Sequence, residues 1–539
     1  MQDINYVELS RRGYVVFAMD AYAHGNSSIP VDGRGSEISK KSGGMVDTVE
    51  YLATLDFVDK ARIGVTGHSM GGGYADAVAS YYTTLENQAL AQGNPNAEAH
   101  QQNKVAAALI IGNVPMGLTE NAPYLAEVGI IAGRYDEFFI VTLKESVVEI
   151  FKNPTAGQLF SLQQGSDETI QTGIINEGQR YVNAQTGYGI TMWSPWEIHP
   201  WDHFSTTTAG HTIDFFESYL KAPNPIPASN QVWWLKEEFN LVGLAGFFLL
   251  IVPLASLLLR LPVFAALKPQ AAVTEVDRPA RMGRYLWTSL FSAIVSGILI
   301  IPLITIGFLF MVNRFWPQDT TGGIGLWAAG SGLIALLALR MGGVRLKRQK
   351  AELGLQIDKD NLLKTIILAL TIAVFTFLAV FLADWLFKTD FRIWSFAVRT
   401  FPAGKVWVAI KYLPFFLVYF LANSLAVSRN RFKGWRKSKQ ILVSAGWNIL
   451  GVCLFIALQY VPLLINGMTF WGALLSGPLA MAGALFPILV FPFVPILAIA
   501  AAINVKLYDL TGSIYLGALV NAFIITMLTV ANTSFSFPY

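Results

Sequence analysis

The residues best suited to covalent chemistry lie in the stretch GHSMG, residues 67–71. An apolar run at residues 63–66 precedes it and a helix-like segment follows, so the sequence predicts a sharp strand-to-helix turn with Ser69 at its tip. A hydroxyl held there can attack a carbonyl carbon, and the N–H of Met70 at the helix start can stabilise the resulting oxyanion. We expect a Cβ at Gly67 or Gly71 to collide with neighbouring backbone. The alternative is a glycine-rich turn with a structural serine.

A nucleophilic serine needs a histidine base and a carboxylate that orients the histidine, which in this kind of turn follow in the order Ser, Asp, His. Asp136 comes just after the apolar run at residues 128–132, where such an acid is expected. Glu137 is the second choice if the loop is one residue longer. The alternative for both is a surface carboxylate in a loop.

The candidate bases are few, because the chain has only six histidines. Three follow Asp136, and Ser205 is predicted to cap a helix that would contain the third of these, His211, as a structural residue. His199 lies six residues before Ser205 and His203 only two. A histidine that reaches over the serine needs loop residues on either side, so His199 is favoured. His203 stays open as the alternative base. His68 is predicted to be a packing residue, since the turn fixes its direction.

The elements around these residues are predicted to form a parallel sheet. Short apolar, β-branched runs alternate with helical patterns, which indicates strands buried between helices on both faces. Ligands of such sheets bind at the carboxyl ends of the strands. The stretch 138–188 is longer than a single crossover needs, so it can provide a cap over the site. The predicted strands are Tyr14–Met19, Arg62–Thr66, Val105–Ile111, Val128–Ala132 and Gly189–Trp193.

Four segments together resemble the α/β-hydrolase superfamily over about the first 220 residues. They are LSRRGYVVFAMDAYAHGNSS, the elbow GHSMGG, the acid loop IIAGRYDE and the histidine loop HPWDHFS. The resemblance implies a serine hydrolase with Ser69 as nucleophile, Asp136 as acid and His199 or His203 as base. It implies no cofactor and no metal.

The sequence departs from this family at its start. The five predicted strands correspond to the family's fourth to eighth strands, and the family's second oxyanion donor comes from the loop after the third. We therefore expect the chain as given to be an N-terminally truncated form of a hydrolase, lacking three strands and this donor. Loss of one oxyanion donor typically lowers the rate by about 10²–10³-fold.

The remainder of the chain is strongly apolar. Residues 1–220 are predicted to form the α/β-hydrolase domain, residues 221–238 a proline-rich linker, and residues 239–539 an all-α transmembrane domain. The seventh span contains several prolines and can be a broken or re-entrant helix. The eight predicted spans are 239–259, 285–311, 322–339, 362–386, 406–427, 441–465, 479–502 and 513–531.

The basic residues of the loops predict an orientation. Loops 260–284, 340–364, 428–440 and 503–512 hold 19 Lys and Arg, whereas the alternate loops hold 5. The first set is therefore predicted to be cytoplasmic, which puts the hydrolase domain outside the cytoplasm of a cell-membrane protein. We expect the missing N-terminal segment to include a membrane helix, because the domain needs an export route.

The most direct interpretation is a membrane-anchored serine esterase or acyl hydrolase acting on a small-molecule or lipid-like ester. The alternative is a non-catalytic ligand-binding, transport or signalling membrane protein with a hydrolase-like domain. A net charge of +3 indicates no nucleic-acid partner. Cys453 is the only cysteine, which excludes an intrachain disulfide and a cysteine-based metal site. Polar residues in the spans, such as Asn423, are predicted to be single contacts between helices.

Overall fold

The computed structural model describes residues 3–25, 27, 36–113, 123–139, 154–165, 175–270, 273, 275–279, 281–346 and 349–537. The chain divides into two compact units. The first comprises Met1–Lys236 together with Tyr460–Ala484, and the second comprises Glu237–Gln459 together with Leu485–Tyr539.

The first unit alternates strands and helices. Its helices are α1 (Asp3–Arg11), α2 (Glu37–Lys41), α3 (Met45–Leu52), α4 (Met70–Ala91), α5 (Asn96–His100), α6 (Pro154–Gln164) and α7 (Thr206–Leu220). Its strands are β1 (Gly64–His68), β2 (Ala107–Ile111), β3 (Glu127–Ile131), β4 (Arg180–Val182) and β5 (Gly189–Trp193), and a 3₁₀ helix spans His199–Phe204.

The five strands form one sheet in the order β1-β2-β3-β5-β4. The first four in that order are parallel, and β4 pairs antiparallel with β5 at the edge. The predicted parallel sheet is therefore confirmed. The carboxyl ends of β1, β3 and β5 lie at one edge, and the loops after them carry Ser69, Asp136 and His199.

The central strand β2 is buried along its whole length, which explains its unbroken apolar sequence. Ala107, Leu109 and Ile111 share a face and belong to one core cluster with Phe215 and Phe216 of α7. The two residues between them point to the opposite face, because side chains alternate along a strand. Helix α4 contacts β1 and β2. This packing holds the ends of the strands, and so the site, in place.

Two strand predictions differ from the structure. Residues Tyr14–Met19 form no strand among the described residues, where β1 pairs only with β2. Tyr14 and Val16 still pack against the core cluster, while Val15 and Phe17 are exposed. Tyr14 and Val16 of this apolar run therefore contact the core although the run pairs with no described strand. Strand β4 was not predicted, because it is three residues long and only Tyr181 in it is buried.

The regular elements described in the rest of the chain are helices, short 3₁₀ turns, a hairpin of β6 (Phe391–Ile393) and β7 (Phe396–Val398), and a single bridge between Val276 and Phe432. The helices are α8 (Trp233–Leu258), α9 (Met282–Ile298), α10 (Ile300–Phe310), α11 (Asp319–Met341), α12 (Lys359–Phe387), α13 (Val406–Arg429), α14 (Lys437–Asn466), α15 (Phe470–Leu474), α16 (Pro478–Leu489), α17 (Phe493–Thr511) and α18 (Ile514–Asn532).

Seven helices in the described part of the chain are long and apolar enough to cross a membrane, which indicates a membrane protein. The pair α9 and α10, bent by 43°, raises the number to eight if it counts as one span. The predicted seventh span, 479–502, is interrupted: α16 ends at Leu489 and α17 begins at Phe493, next to Pro492. Proline removes a backbone donor and crowds the preceding turn, which accounts for the break.

Four asparagines of the spans are connected by hydrogen bonds. The Asn521 amide donates to Asn504 Oδ1 (3.0 Å), Asn504 donates to Asn423 Oδ1 (2.8 Å), and Asn423 donates to Asn448 Oδ1 (2.5 Å). Asn448 in turn donates to the carbonyl of Leu497 (3.3 Å). The predicted contacts between helices are therefore present, but they form a chain of four amides that ties α13, α14, α17 and α18 together and are not single contacts.

Candidate active site

Ser69 lies between the last residue of β1 and the first residue of α4, in a strained conformation. Its φ is +58° and its ψ is −119°, a region that non-glycine residues rarely adopt and that typically costs about 1–3 kcal/mol. The Ser69 N–H donates to the carbonyl of Ile111 (2.8 Å), and the Asn113 amide donates to the Ser69 carbonyl (3.2 Å). Bonds from the neighbouring strand and its loop therefore hold the serine in the strained turn.

The two glycines of the motif differ in their environment. A Cβ on Gly67 would lie 2.3 Å from the Gly71 carbonyl, so only glycine fits there. A Cβ on Gly71 would meet nothing within 4 Å, and our expected collision at this position is wrong. The close approach is instead at Gly72, where a Cβ would lie 2.9 Å from the Ile111 carbonyl oxygen and push α4 off β2.

Met70 is the first residue of α4, so its N–H has no acceptor four residues earlier within the helix. Its side chain is half exposed. An N–H at this end of a helix, where the dipole is positive, is suited to a developing negative charge. This is the position that the sequence predicts for an oxyanion donor.

The loop after β3 runs close beside the loop after β5. A Cβ on Gly133 would lie 2.6 Å from the Glu197 carbonyl oxygen, so the two backbones meet only because this residue is glycine. The Arg134 N–H donates to the carbonyl of Pro195 (2.8 Å), and the Tyr135 N–H donates to that of Glu197 (2.9 Å). These bonds extend the pairing of β3 and β5 and bring Asp136 next to His199.

Asp136 and His199 form a buried pair. His199 Nδ1 lies 2.6 Å from Asp136 Oδ2, and both side chains are shielded from solvent. With its proton on Nδ1, the imidazole keeps Nε2 free to accept a proton. Burial lowers the pKa of His199, but the charge of Asp136 and its hydrogen bond, with a contribution from Glu137, outweigh burial and raise it above the usual value.

Glu137 is fully buried and makes two contacts that differ from those of Asp136. Its Oε2 accepts a hydrogen bond from the backbone N–H of His199 (3.0 Å), and its Oε1 accepts one from the hydroxyl of Tyr460 (2.5 Å). Burial and the neighbouring charge of Asp136 raise the pKa of Glu137 to about 7. Of the two candidate acids, the structure therefore brings Asp136 to the imidazole and Glu137 to the backbone of the same histidine.

His68 packs against both other histidines of the site, His199 and His203. The His68 ring centroid lies 4.4 Å from that of His199 and 4.4 Å from that of His203. His68 Nε2 lies 3.1 Å from the His199 carbonyl oxygen and 3.3 Å from Asp202 Oδ2. Burial, with the charges of His203 and His199, lowers the pKa of His68, and burial, with the charge of Asp136, raises that of Asp202. Both groups are thereby favoured in their neutral forms.

Hydrogen bonds connect the histidine loop to the start of α7. The hydroxyl of Ser205 accepts the N–H of Thr208 (2.9 Å), which confirms Ser205 as the predicted cap of α7. Ser205 and Thr208 also donate their hydroxyls to Glu197. His211 lies inside α7, as predicted, and its ring stacks on Trp193 at 5.2 Å.

Sequence reasoning missed Tyr460 and Asp202. Asp202 lies in the histidine loop, and its place between two candidate bases was the available indication. Tyr460 is 323 positions from Glu137 along the chain and lies in an apolar helix, so no local pattern could point to it.

The sheet, the strained serine turn and the Asp–His pair at the strand ends define an α/β-hydrolase-type domain at the N-terminal part of the chain, followed by a helical part with candidate membrane spans. Residues 2–114 match the family model described as the Dienelactone hydrolase family, so this is a hydrolase-like domain of the α/β-hydrolase superfamily. The match covers about a fifth of the chain and includes Ser69 but not Asp136 or His199. A search of curated proteins gave no match. A search of solved structures gave none either.

The charge of Glu137 yields a prediction about pH dependence. A general base must be neutral, and the pKa of His199 is raised, so kcat/KM for an ester should rise as the pH increases through a value above 6.5. Glu137→Gln removes one of the charges that raise the pKa of His199. The rise of kcat/KM with pH, the acid limb of the profile, should therefore move to lower pH. The amide can still accept from the His199 N–H and donate to the Tyr460 oxygen.

The matched control is Glu197→Gln, a buried carboxylate in the same loop system that does not contribute to the His199 pKa. It should leave the acid limb unchanged. A limb that stays in place in Glu137→Gln, or moves equally in both variants, would contradict an electrostatic role for Glu137.

Proposed function

We propose that this protein is a membrane-anchored serine hydrolase that cleaves an ester or related acyl bond. One observation supports this most: a strained serine, at φ +58°, opens the helix that follows β1, and a buried Asp136–His199 pair follows the parallel strands of the same sheet. Strained backbone conformations at non-glycine residues cluster at functional sites.

In the proposed mechanism, Ser69 Oγ attacks the carbonyl carbon while His199 Nε2 accepts its proton. Asp136 keeps the proton on Nδ1 and stabilises the imidazolium. The Met70 N–H donates to the oxyanion of the tetrahedral intermediate. His199 then returns its proton to the leaving alcohol, and a water activated by the same base hydrolyses the acyl-enzyme. No cofactor or metal takes part.

The hydrolase class implies a small-molecule substrate, and we extend this to an ester that is either soluble or lipid-like. Purified full-length protein should hydrolyse short-chain p-nitrophenyl esters, with a burst of nitrophenol that titrates the active sites. A preparation that neither releases nitrophenol nor reacts with a fluorophosphonate would favour the alternative, a non-catalytic ligand-binding domain.

We also propose that the hydrolase domain, residues 1–220 and the linker to 238, lies outside the cytoplasm. The 19-to-5 distribution of Lys and Arg between alternate loops supports this orientation. Single cysteines at the exposed positions Asn94 and Arg345, in a Cys453→Ser background, provide the test. A membrane-impermeant maleimide should label Asn94→Cys in intact cells and Arg345→Cys only after permeabilisation. The reverse pattern would invert the topology.

A further inference from the structure

Tyr460 packs with the hydrolase part of the molecule, although it comes from the helical part of the sequence. It lies near the end of α14, and the segment Tyr460–Ala484 groups with Met1–Lys236 in the first compact unit. The residue is 8% exposed, and its hydroxyl donates to Glu137 Oε1 (2.5 Å). A buried phenol normally finds a hydrogen-bond partner, and a charged acceptor makes that bond stronger than a neutral one does.

Glu137 connects this hydroxyl to the backbone of the candidate base. His199 is the first residue of the 3₁₀ helix His199–Phe204, so its N–H has no acceptor within that helix, and the residue before it is Ile198. Glu137 Oε2 accepts this N–H at 3.0 Å. Asp136 therefore orients the ring of His199, while the next residue of the same loop holds the main chain from which the ring projects.

The hydroxyl of Tyr460 also acts on the charge of Glu137. Burial and the charge of Asp136 raise the pKa of this carboxyl, whereas the hydrogen bond from Tyr460 lowers it. Without the hydroxyl, the neutral carboxyl is favoured, which is a weaker acceptor for the His199 N–H and adds no negative charge beside the imidazole. The titratable side chains around Glu137 and His199 are Asp136, Tyr460, His68 and Asp202.

From these contacts we propose that Tyr460 and Glu137 are positioning residues for the base, a role that rests on the serine hydrolase function proposed above. The Tyr460 hydroxyl holds Glu137 as a carboxylate, and this carboxylate holds the backbone of His199 so that the ring stays in place for proton transfer. The site thereby depends on two parts of the chain that are far apart in sequence. A bond that only ties the segment Tyr460–Ala484 to its unit would affect stability and not turnover.

The test begins with Tyr460→Phe in purified full-length protein, which removes the hydroxyl and keeps the buried ring. It should lower kcat for a p-nitrophenyl ester by about tenfold or more without raising KM, because the assigned role is in proton transfer and not in substrate binding. The acid limb of kcat/KM should move to lower pH, as in Glu137→Gln, because less negative charge then supports the imidazolium.

The matched control is Tyr124→Phe. The Tyr124 hydroxyl also donates to a carboxylate of the first unit, Asp76 Oδ1 (2.7 Å), but this carboxylate does not contribute to the pKa of His199. Tyr124→Phe should lower the thermal midpoint, as Tyr460→Phe does, and leave kcat and the acid limb unchanged. In the Glu137→Gln background, Tyr460→Phe should not move the limb further, since no charge remains at position 137.

The titration of His199 gives the same comparison without turnover. It is followed by NMR of the histidine-labelled protein and assigned by the signal that is missing in His199→Gln. The pKa of His199 should fall in Tyr460→Phe and not in Tyr124→Phe. An inactive wild type that shows this fall would contradict the hydrolase function alone. An unchanged titration in Tyr460→Phe, or a limb that still moves in the Glu137→Gln background, would overturn the inference whether or not the wild type is active.

Discussion

Replacing Ser69 by alanine should abolish fluorophosphonate labelling and lower kcat for ester hydrolysis by about 10⁶-fold, the loss typical of removing such a nucleophile. The reason is that Ser69 Oγ is the only atom in the proposed mechanism that forms a bond to the acyl carbon. Gel fluorescence of the labelled protein and initial rates on p-nitrophenyl esters measure the two effects. Folding should persist, because alanine keeps the Cβ and the backbone bond to Ile111.

Ser69→Gly provides a second, independent readout of the same position. Glycine adopts positive φ without strain, so this variant should be inactive yet more heat-stable, by about 1 kcal/mol. An inactive and stabilised protein would tie the strained turn to function. Labelling of Ser69→Ala at the wild-type level would place the nucleophile elsewhere.

The second large effect is expected at His199. His199→Ala should lower kcat by about 10⁴–10⁶-fold, because the base and the partner of Asp136 are lost together. His203→Ala should have a much smaller effect, since the Asp136 carboxylate contacts His199 at 2.6 Å, whereas His203 packs against the ring of His68. Steady-state kinetics on one ester, at several pH values, compares the two variants.

Added imidazole separates a lost base from a damaged fold. It should partly restore the activity of His199→Ala, because a small base can enter the space left by the side chain. Rescue should require Ser69, so the double variant with Ser69→Ala should stay inactive. A larger loss in His203→Ala than in His199→Ala would move the base to His203.

Much of this molecule follows from local patterns in the sequence. The apolar runs at Ala107–Ile111 and Glu127–Ile131 predict buried parallel strands, because both faces of such strands need apolar side chains. The motif at residues 67–71 predicts the elbow, because Gly67 is required by its contact with the Gly71 backbone. The long apolar segments predict the spans, because a membrane helix must present apolar side chains along about 20 residues.

Tertiary structure alone decided which polar groups meet. The sequence left Asp136 and Glu137 both open as the acid and His199 and His203 both open as the base, because adjacent loop residues differ only in direction. Close approach of the loops after β3 and β5, permitted by Gly133, brought Asp136 to the ring of His199 and Glu137 to its backbone.

Local sequence patterns also could not predict contacts between residues that are far apart along the chain. Residues 14–19 form an apolar run like that of a buried strand but pair with no strand among the described residues, since a ladder depends on a neighbour and not on the segment itself. Tyr460 reaches Glu137 from a helix hundreds of residues away. Hydrogen bonds and ion pairs form between atoms a few ångströms apart, so only the folded chain determines which residues they join.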